Sequence, residues 1–286
     1  MIDLHVHSTA SDGTLAPEAL ASRLARDGVT TFSLCDHDTT AGIAAAAAGA
    51  RAAGMGFLAG IEITAIEEGK DVHVLGYGID PASAPLAAFL AEQRGYRRAR
   101  ITAIEERLAA LGVPVKLEAD RRGANSDDER AIGRPVVARA LVAAGHVASI
   151  AEAFDKYLTP GQPAFVPRTG APVPEVVAMI ARAGGIASLA HPGQTRRDDA
   201  IERWVEAGLP AIEVWHSHHD DAAVARYAAI AARYGLLTTG GSDFHGDDGS
   251  RVYRVGEVGA PPEAFARLAE RLAQTAQVSV PAEPGR

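Results

Sequence analysis

Short apolar runs alternate with longer amphipathic stretches over the first eighty positions. Ile2–His7, Thr30–Cys35 and Gly56–Ile63 read as strands, and Asp71–Tyr77 as the second arm of a hairpin that turns at Glu68-Gly69. Between them Pro17–Arg26 and Thr40–Ala53 carry helical spacing. Pro17 suits a first helical turn, and Gly54 a helix end.

The pattern then changes. From Pro81 to Ala164 it is helical and contains no convincing strand. Leu86–Leu111 is one long Arg/Glu-rich helix, Arg121–Arg130 a polar loop, and Arg134–Ala144 and Ser149–Tyr157 further helices. After Pro167 the alternation resumes. Strands are expected at Ile186–Ala190, Ala211–Trp215 and Leu237–Gly240. Helices are expected at Val173–Ala183, Ala200–Ala207, Ala222–Tyr234 and Pro262–Thr275. Strands that alternate with helices imply a parallel sheet. Two such blocks around one helical insertion predict a barrel (1–80 and 165–286) interrupted by a cap (81–164); a doubly wound open sheet is the runner-up.

Composition adds limits. With 286 residues and 47% hydrophobic content, the chain can bury a large core. Its one cysteine, Cys35, rules out an internal disulfide framework. No apolar stretch is long enough for a membrane span, and no charged leader precedes Ile2, so a soluble cytoplasmic protein is expected. The net charge of −8 argues against a coat for long duplex nucleic acid. Arg94–Arg139, however, holds 11 basic and 7 acidic residues. A local basic segment in an acidic protein suits a small anionic ligand.

The candidate chemistry falls at the C-terminal ends of the expected strands: His5 and His7, His37, Glu62, His73, His191, and Asp243 with His245, with Asp12 shortly after the first strand. In a parallel barrel these ends meet on one face. Residues two apart in a strand point the same way, so His5-Val6-His7 aims two imidazoles at one point, and Asp243-Phe244-His245 repeats the device. Imidazole with carboxylate and no sulfur suits Mn²⁺, Fe²⁺ or Zn²⁺. Nine such residues exceed the needs of one tetrahedral ion and fit two or three. His146 and His216 lack supporting context and read as structural.

These residues sit in Asp3-Leu4-His5-Val6-His7-Ser8, Ser11-Asp12-Gly13, Cys35-Asp36-His37-Asp38, Gly60-Ile61-Glu62, Val72-His73-Val74-Leu75-Gly76, Ala190-His191-Pro192-Gly193 and Gly241-Ser242-Asp243-Phe244-His245. As a set they resemble the PHP (polymerase and histidinol phosphatase) superfamily. The resemblance implies a distorted (β/α)₇ TIM-like barrel with the cap as an insertion. It also implies a metal-dependent phosphoesterase that uses Mn²⁺, or else Fe²⁺ or Zn²⁺. By position, His5, His7, Glu62 and Asp243 would hold one ion, and Glu62, His73 and His191 a second. Asp12, His37 and His245 would hold a third ion or contact the phosphate directly, as catalytic residues.

The insertion resembles that of 3′,5′-nucleoside bisphosphate phosphatases, some of which act as 5′→3′ exoribonucleases on short RNA. Ile132-Gly133-Arg134-Pro135, Tyr157-Leu158-Thr159-Pro160-Gly161 and Pro163-Ala164-Phe165-Val166-Pro167 carry that likeness. Val136 and Gln162 depart from it, where His and Lys are usual. The expected substrate is therefore a small nucleotide bisphosphate or short oligoribonucleotide, attacked by a hydroxide bridging two ions. Arg94 and Arg98, four apart on one helix, with Arg134, are candidates for a second phosphate. His219 is a weaker substrate contact. The rivals are a histidinol-phosphate phosphatase, a true nuclease and a non-catalytic metal-binding domain. A zinc amidohydrolase would need a lysine at a strand end, and Lys70, Lys116 and Lys156 are all misplaced for that.

Overall fold

The computed structural model describes residues 1–115, 117, 134–247 and 253–278. The expected loop Arg121–Arg130, and Ile132-Gly133, lie outside the described residues. Seven strands form one sheet in chain order: β1 (Ile2–Val6), β2 (Thr31–Leu34), β3 (Gly56–Glu67), β4 (Lys70–Tyr77), β5 (Ile186–Leu189), β6 (Ala211–His216) and β7 (Leu237–Gly241). The edges meet. His7 donates its backbone N–H to Phe244 O, and Asp243 its own to His5 O, each at 2.8 Å. That contact makes a nearly closed barrel and removes the open-sheet alternative.

The sheet is not wholly parallel, which corrects the sequence expectation. β4 runs antiparallel to both neighbours, β3 and β5. The cause is local. Glu68 and Gly69 both take positive φ, 51° and 75°, the tight two-residue hairpin turn that reverses a chain without a helix. β3 therefore continues past the expected Ile63 to Glu67. His73 lies near the start of β4, not its end. Because the strand is inverted, that start still faces the site, and His73 is paired opposite Thr64.

Helices α1 (Pro17–Ala25), α2 (Ile43–Ala52), α6 (Val173–Arg182), α8 (Asp198–Glu206) and α9 (Asp221–Tyr234) flank the strands, with a one-turn α7 (Pro192–Thr195) after β5. α10 (Pro262–Val278) clusters Leu268 and Leu272 with Tyr77 and Ile186. Between β4 and β5 lie α3 (Ala84–Ala110), α4 (Arg134–Ala143) and α5 (Ile150–Ala153), the last running on as a π-helical turn over Phe154–Leu158.

α3 has 27 residues, about 40 Å of helix, capped by Ser83 Oγ accepting from Leu86 N. Its first half gives Leu86, Phe89 and Leu90 to the barrel core beside Val173 and Ile180. Its second half gives Ile101, Ile104 and Leu108 to a separate core with Val137, Leu141 and Leu158. Each such side chain fully buried contributes roughly 1.5–3 kcal/mol. The helix is thus fixed at both ends by different cores.

Candidate metal centre

At one mouth of the barrel, alternation along β1 turns Asp3, His5 and His7 to one side, all fully buried. Glu62 of β3, also buried, lies at the centre of the imidazoles. Its Oε2 is 3.4 Å from His5 Nε2, 3.3 Å from His7 Nε2 and 3.2 Å from His37 Nδ1. Its Oε1 is 2.9 Å from His73 Nδ1 and 3.0 Å from His191 Nε2. Asp243 Oδ1 lies 3.4 Å from His5 Nε2 and 3.2 Å from His7 Nε2. Towards the rim, Asp12 is 3.2 Å from His245 Nε2, with His7 and His37 within 4.0 Å. The structure therefore brings all nine expected residues into one cluster, with the two oxygens of Glu62 serving opposite sides.

Apart from the His191 Nε2 contacts to Glu62 Oε1 and His73 Nδ1, many of the converging donor atoms stay unpaired. His5 Nε2, both nitrogens of His7, His37 Nδ1, His191 Nδ1 and His245 Nε2 are buried and have no hydrogen-bond partner. Buried polar atoms are nearly always paired, so a converging set of orphans is what metal ligands look like. Four overlapping groups among the described residues have the right spacing: His5, His7, Glu62, Asp243; His37, Glu62, His73; His7, Asp12, His37, His245; and His5, Glu213, His216. The donor set of nitrogens and oxygens fits divalent cations of the Mn²⁺, Fe²⁺ or Zn²⁺ kind.

Electrostatics agree. Burial alone would push Glu62 up, but His37, His73 and His5 hold it well below the usual carboxylate range. Burial opposes a charge on His7, yet the carboxylates of Asp243 and Glu62 beside its Nε2 push it up to about 10. His5 is likewise raised by Glu213, Glu62 and Asp243 against the effect of burial. His37 is lowered, chiefly by burial. The pocket keeps its carboxylates ionised and draws positive charge inward.

Outer carboxylates fix the loops that carry these groups. Asp3 accepts from Ser242 N at 2.9 Å and from Ser242 Oγ–H at 2.6 Å, tying β1 to the Asp243 turn. Asp36 accepts from Ser8 N–H and from the hydroxyls of Ser8 and Ser11. Asp38 accepts from Thr64 N. Asp38, His191 and Asp243 all sit at positive φ, 52°, 26° and 58°. For non-glycine residues this is strain of about 1–3 kcal/mol each, tolerated where the surroundings over-determine the geometry.

The expected substrate contacts fall out differently. Arg94 donates to Asp38 O at 3.1 Å. Arg98 is exposed, and Arg97, three residues from Arg94, faces inward instead and pairs with Asp38 and Thr64. Arg134 donates to Leu158 O and lies over the Phe154 and Phe165 rings. A cleft beside Thr64 and Gln93 is lined by Arg97, Arg100, Arg168 and Thr169. Arg100 is pushed down to about 10 by burial and by the neighbouring Arg168 and Arg134. Burial and Arg97 and Arg134 also lower Arg168, although Asp71 stands 3.2 Å away. Like charges crowded this way seek an anion.

His219 is buried and is not among the residues lining that cleft. Its Nδ1–H donates to Val214 O, and its Nε2 accepts from Gly193 N. Sequence reasoning missed two members of the cluster, Glu213 and His216. Glu213 Oε1 is 3.0 Å from His5 Nδ1, and His216 Nε2 is 3.5 Å from Asp243 Oδ2. The available signal was a charged residue inside the apolar strand Ala211-Ile212-Glu213-Val214-Trp215.

Known proteins agree with this geometry. The PHP domain model matches residues 3–110. The 3′,5′-nucleoside bisphosphate phosphatase of Chromobacterium violaceum is 38% identical over 85% of this chain and 87% of its own length. The 5′-3′ exoribonuclease Rnm of Escherichia coli is 35% identical over 85% and 84%. A solved structure assigned as a metal-dependent phosphoesterase, from Bifidobacterium adolescentis, superposes with a TM-score of 0.80 at 32% identity. It covers 94% of this chain and 96% of its own. A buried histidine–carboxylate cluster at the mouth of a seven-stranded barrel, matched by relatives along most of its length, places this chain in the PHP domain family as a metal-dependent phosphoesterase.

Proposed function

We propose that this enzyme removes the 3′-phosphate of 3′,5′-nucleoside bisphosphates in the cytoplasm, with 5′→3′ action on short RNA as an extension of the same binding mode. One observation carries the reading: Thr64, which lines the small arginine-rich cleft, is paired across the sheet with His73 of the metal cluster, so positive charge stands next to that cluster. Two anionic groups on one small molecule match that pair of sites. The named activity of the Chromobacterium violaceum relative supports it. In this reading residues 81–164 are the substrate-reading cap, and 1–80 with 165–286 the metal-binding barrel.

His5, His7, Glu62 and Asp243 would hold one cation, and Glu62, His73 and His191 a second. Bound there, Mn²⁺ or a similar ion would supply Lewis acidity and a water of lowered pKa. Asp12, His37 and His245 line the more open side and would hold a third ion or the phosphate oxygens. Asp12 is held ionised by His37, His245 and His7 against the effect of burial, which favours a ligand or base over a proton donor. Arg97, Arg100 and Arg168 would grip the second phosphate by charge-assisted hydrogen bonds. Histidinol phosphate carries an amine, which that cleft repels, so this rival is disfavoured.

The test is phosphate release from adenosine 3′,5′-bisphosphate with Mn²⁺, beside AMP and histidinol phosphate. Selective formation of AMP is the expected result. Turnover of histidinol phosphate with none of the bisphosphate would overturn the substrate assignment.

A further inference from the structure

Glu213 is fully buried in the middle of β6, between Ile212 and Val214, which are also inaccessible. Among the described residues no lysine or arginine pairs with it. An isolated carboxylate there would be costly, so its partners define its purpose. One oxygen, Oε1, is 3.0 Å from His5 Nδ1. The other, Oε2, accepts from the backbone N–H of His191 at 2.7 Å. We propose that Glu213 is a positioning residue that holds the two halves of the metal centre in register, through the ring of His5 on one side and the backbone of His191 on the other. The proposal rests on reading His5 and His191 as ligands.

The geometry dictates the tautomer. An ionised carboxylate only accepts, so His5 must carry its proton on Nδ1. In the neutral ring that a ligand requires, Nε2 would then present its lone pair between Glu62 and Asp243, where it has no hydrogen-bond partner. A carboxylate behind a ligating imidazole orients the ring and makes it a stronger donor. The second oxygen acts on strain. His191 holds φ 26°, and the turn after it is pinned from both sides, by Glu213 at His191 N and by His219 Nε2 at Gly193 N.

His216 extends the same layer. Its Nδ1 accepts from His218 N at 3.1 Å, so Nε2 keeps the proton and points at Asp243 Oδ2. His5, Glu213 and His216 also lie close enough to hold a cation themselves. That arrangement would consume His5 Nδ1 and leave Nε2 protonated, removing His5 from the main cluster. The supporting role keeps every atom in use.

The test is a chelator-competition titration of Mn²⁺ into the metal-stripped full chain, comparing wild type, Glu213→Gln and the exposed control Glu202→Gln. Glutamine keeps the shape but must turn its NH₂ towards either His5 Nδ1–H or His191 N–H. Glu213→Gln should weaken Mn²⁺ binding ~10–100-fold, with a native circular dichroism spectrum. Glu202→Gln should bind as wild type. Should Glu213→Gln fail to fold, Glu213→Asp keeps the charge but cannot span both partners, and the same loss is expected of it. Wild-type affinity in the folded Glu213 variant would overturn the proposal and leave the phosphoesterase reading standing. A wild-type chain that binds no Mn²⁺ would overturn both.

Discussion

Glu62→Gln tests the centre most directly. The substitution keeps size and shape and removes one charge whose two oxygens stand 2.9–3.4 Å from five imidazoles. A unit-charge pair about 3.3 Å apart, at an effective dielectric near 20, interacts by roughly 5 kcal/mol. A divalent ion loses at least that order, which is more than three decades of affinity. The amide offers one acceptor oxygen, so only one side keeps a ligand; the other meets an NH₂, which cannot ligate. The folded variant should therefore lose at least one bound equivalent of Mn²⁺, measured by elemental analysis after dialysis. Phosphatase turnover should fall by three decades or more. Circular dichroism of the stripped proteins separates this from unfolding. A folded Glu62→Gln chain that keeps wild-type metal content and turnover would refute the assignment of Glu62 as the shared ligand.

Three further outcomes follow from other parts of the molecule. Arg100→Gln should raise KM for a nucleoside bisphosphate ~10–100-fold while leaving p-nitrophenyl phosphate unaffected, because a charged hydrogen bond contributes roughly 1.5–3 kcal/mol; equal losses on both substrates would remove Arg100 from the second anion site. Burial pushes the Cys35 thiol up to about 12, so at pH 8 the folded protein should not react with Ellman's reagent, and guanidinium should release one equivalent; rapid labelling of the native chain would show that the barrel opens there. Gly241→Ala would drive a methyl into His5 Cβ and to 2.8 Å from Asp3 Oδ1, where nothing flexible can yield. It should lower stability by about 1–3 kcal/mol, a melting temperature several degrees down, and an unchanged melting curve would show the β1–β7 seam to be more pliable than drawn.

Most of the nine clustered residues were legible because they lie at or just past a strand end, three of them directly before Gly or Pro (Asp12, His191, His245); Glu62 and His73 instead lie within β3 and β4. The reversal of β4 was not legible. The Glu68-Gly69 turn marks the hairpin, but the pairing of β4 with β5, far along the chain and antiparallel, leaves no local signal. Arg97 was passed over for Arg98 because spacing alone does not fix which side of α3 meets the barrel; packing of Leu86, Phe89 and Leu90 does. Glu213 and His216 escaped because their role is to hold other residues, and that leaves no spacing signature in a single chain. The hydrogen bonds of His219, one of them to a turn 26 residues away, leave no spacing signature either.

The unbroken α3 helix has a mechanical consequence. It is rooted in the barrel core at Leu86–Leu90 and in the second core at Ile101–Leu108, with Arg94, Arg97 and Arg100 on the stretch between. Such a rod has no joint, so the arginines ride at a set height above the histidine cluster. The two anchoring points behave like the jaws of a calliper locked at one opening. Under the proposed function, molecules would be sorted by the span between their anionic groups, and changing that span would call for a different length of rod, with the barrel beneath it left untouched.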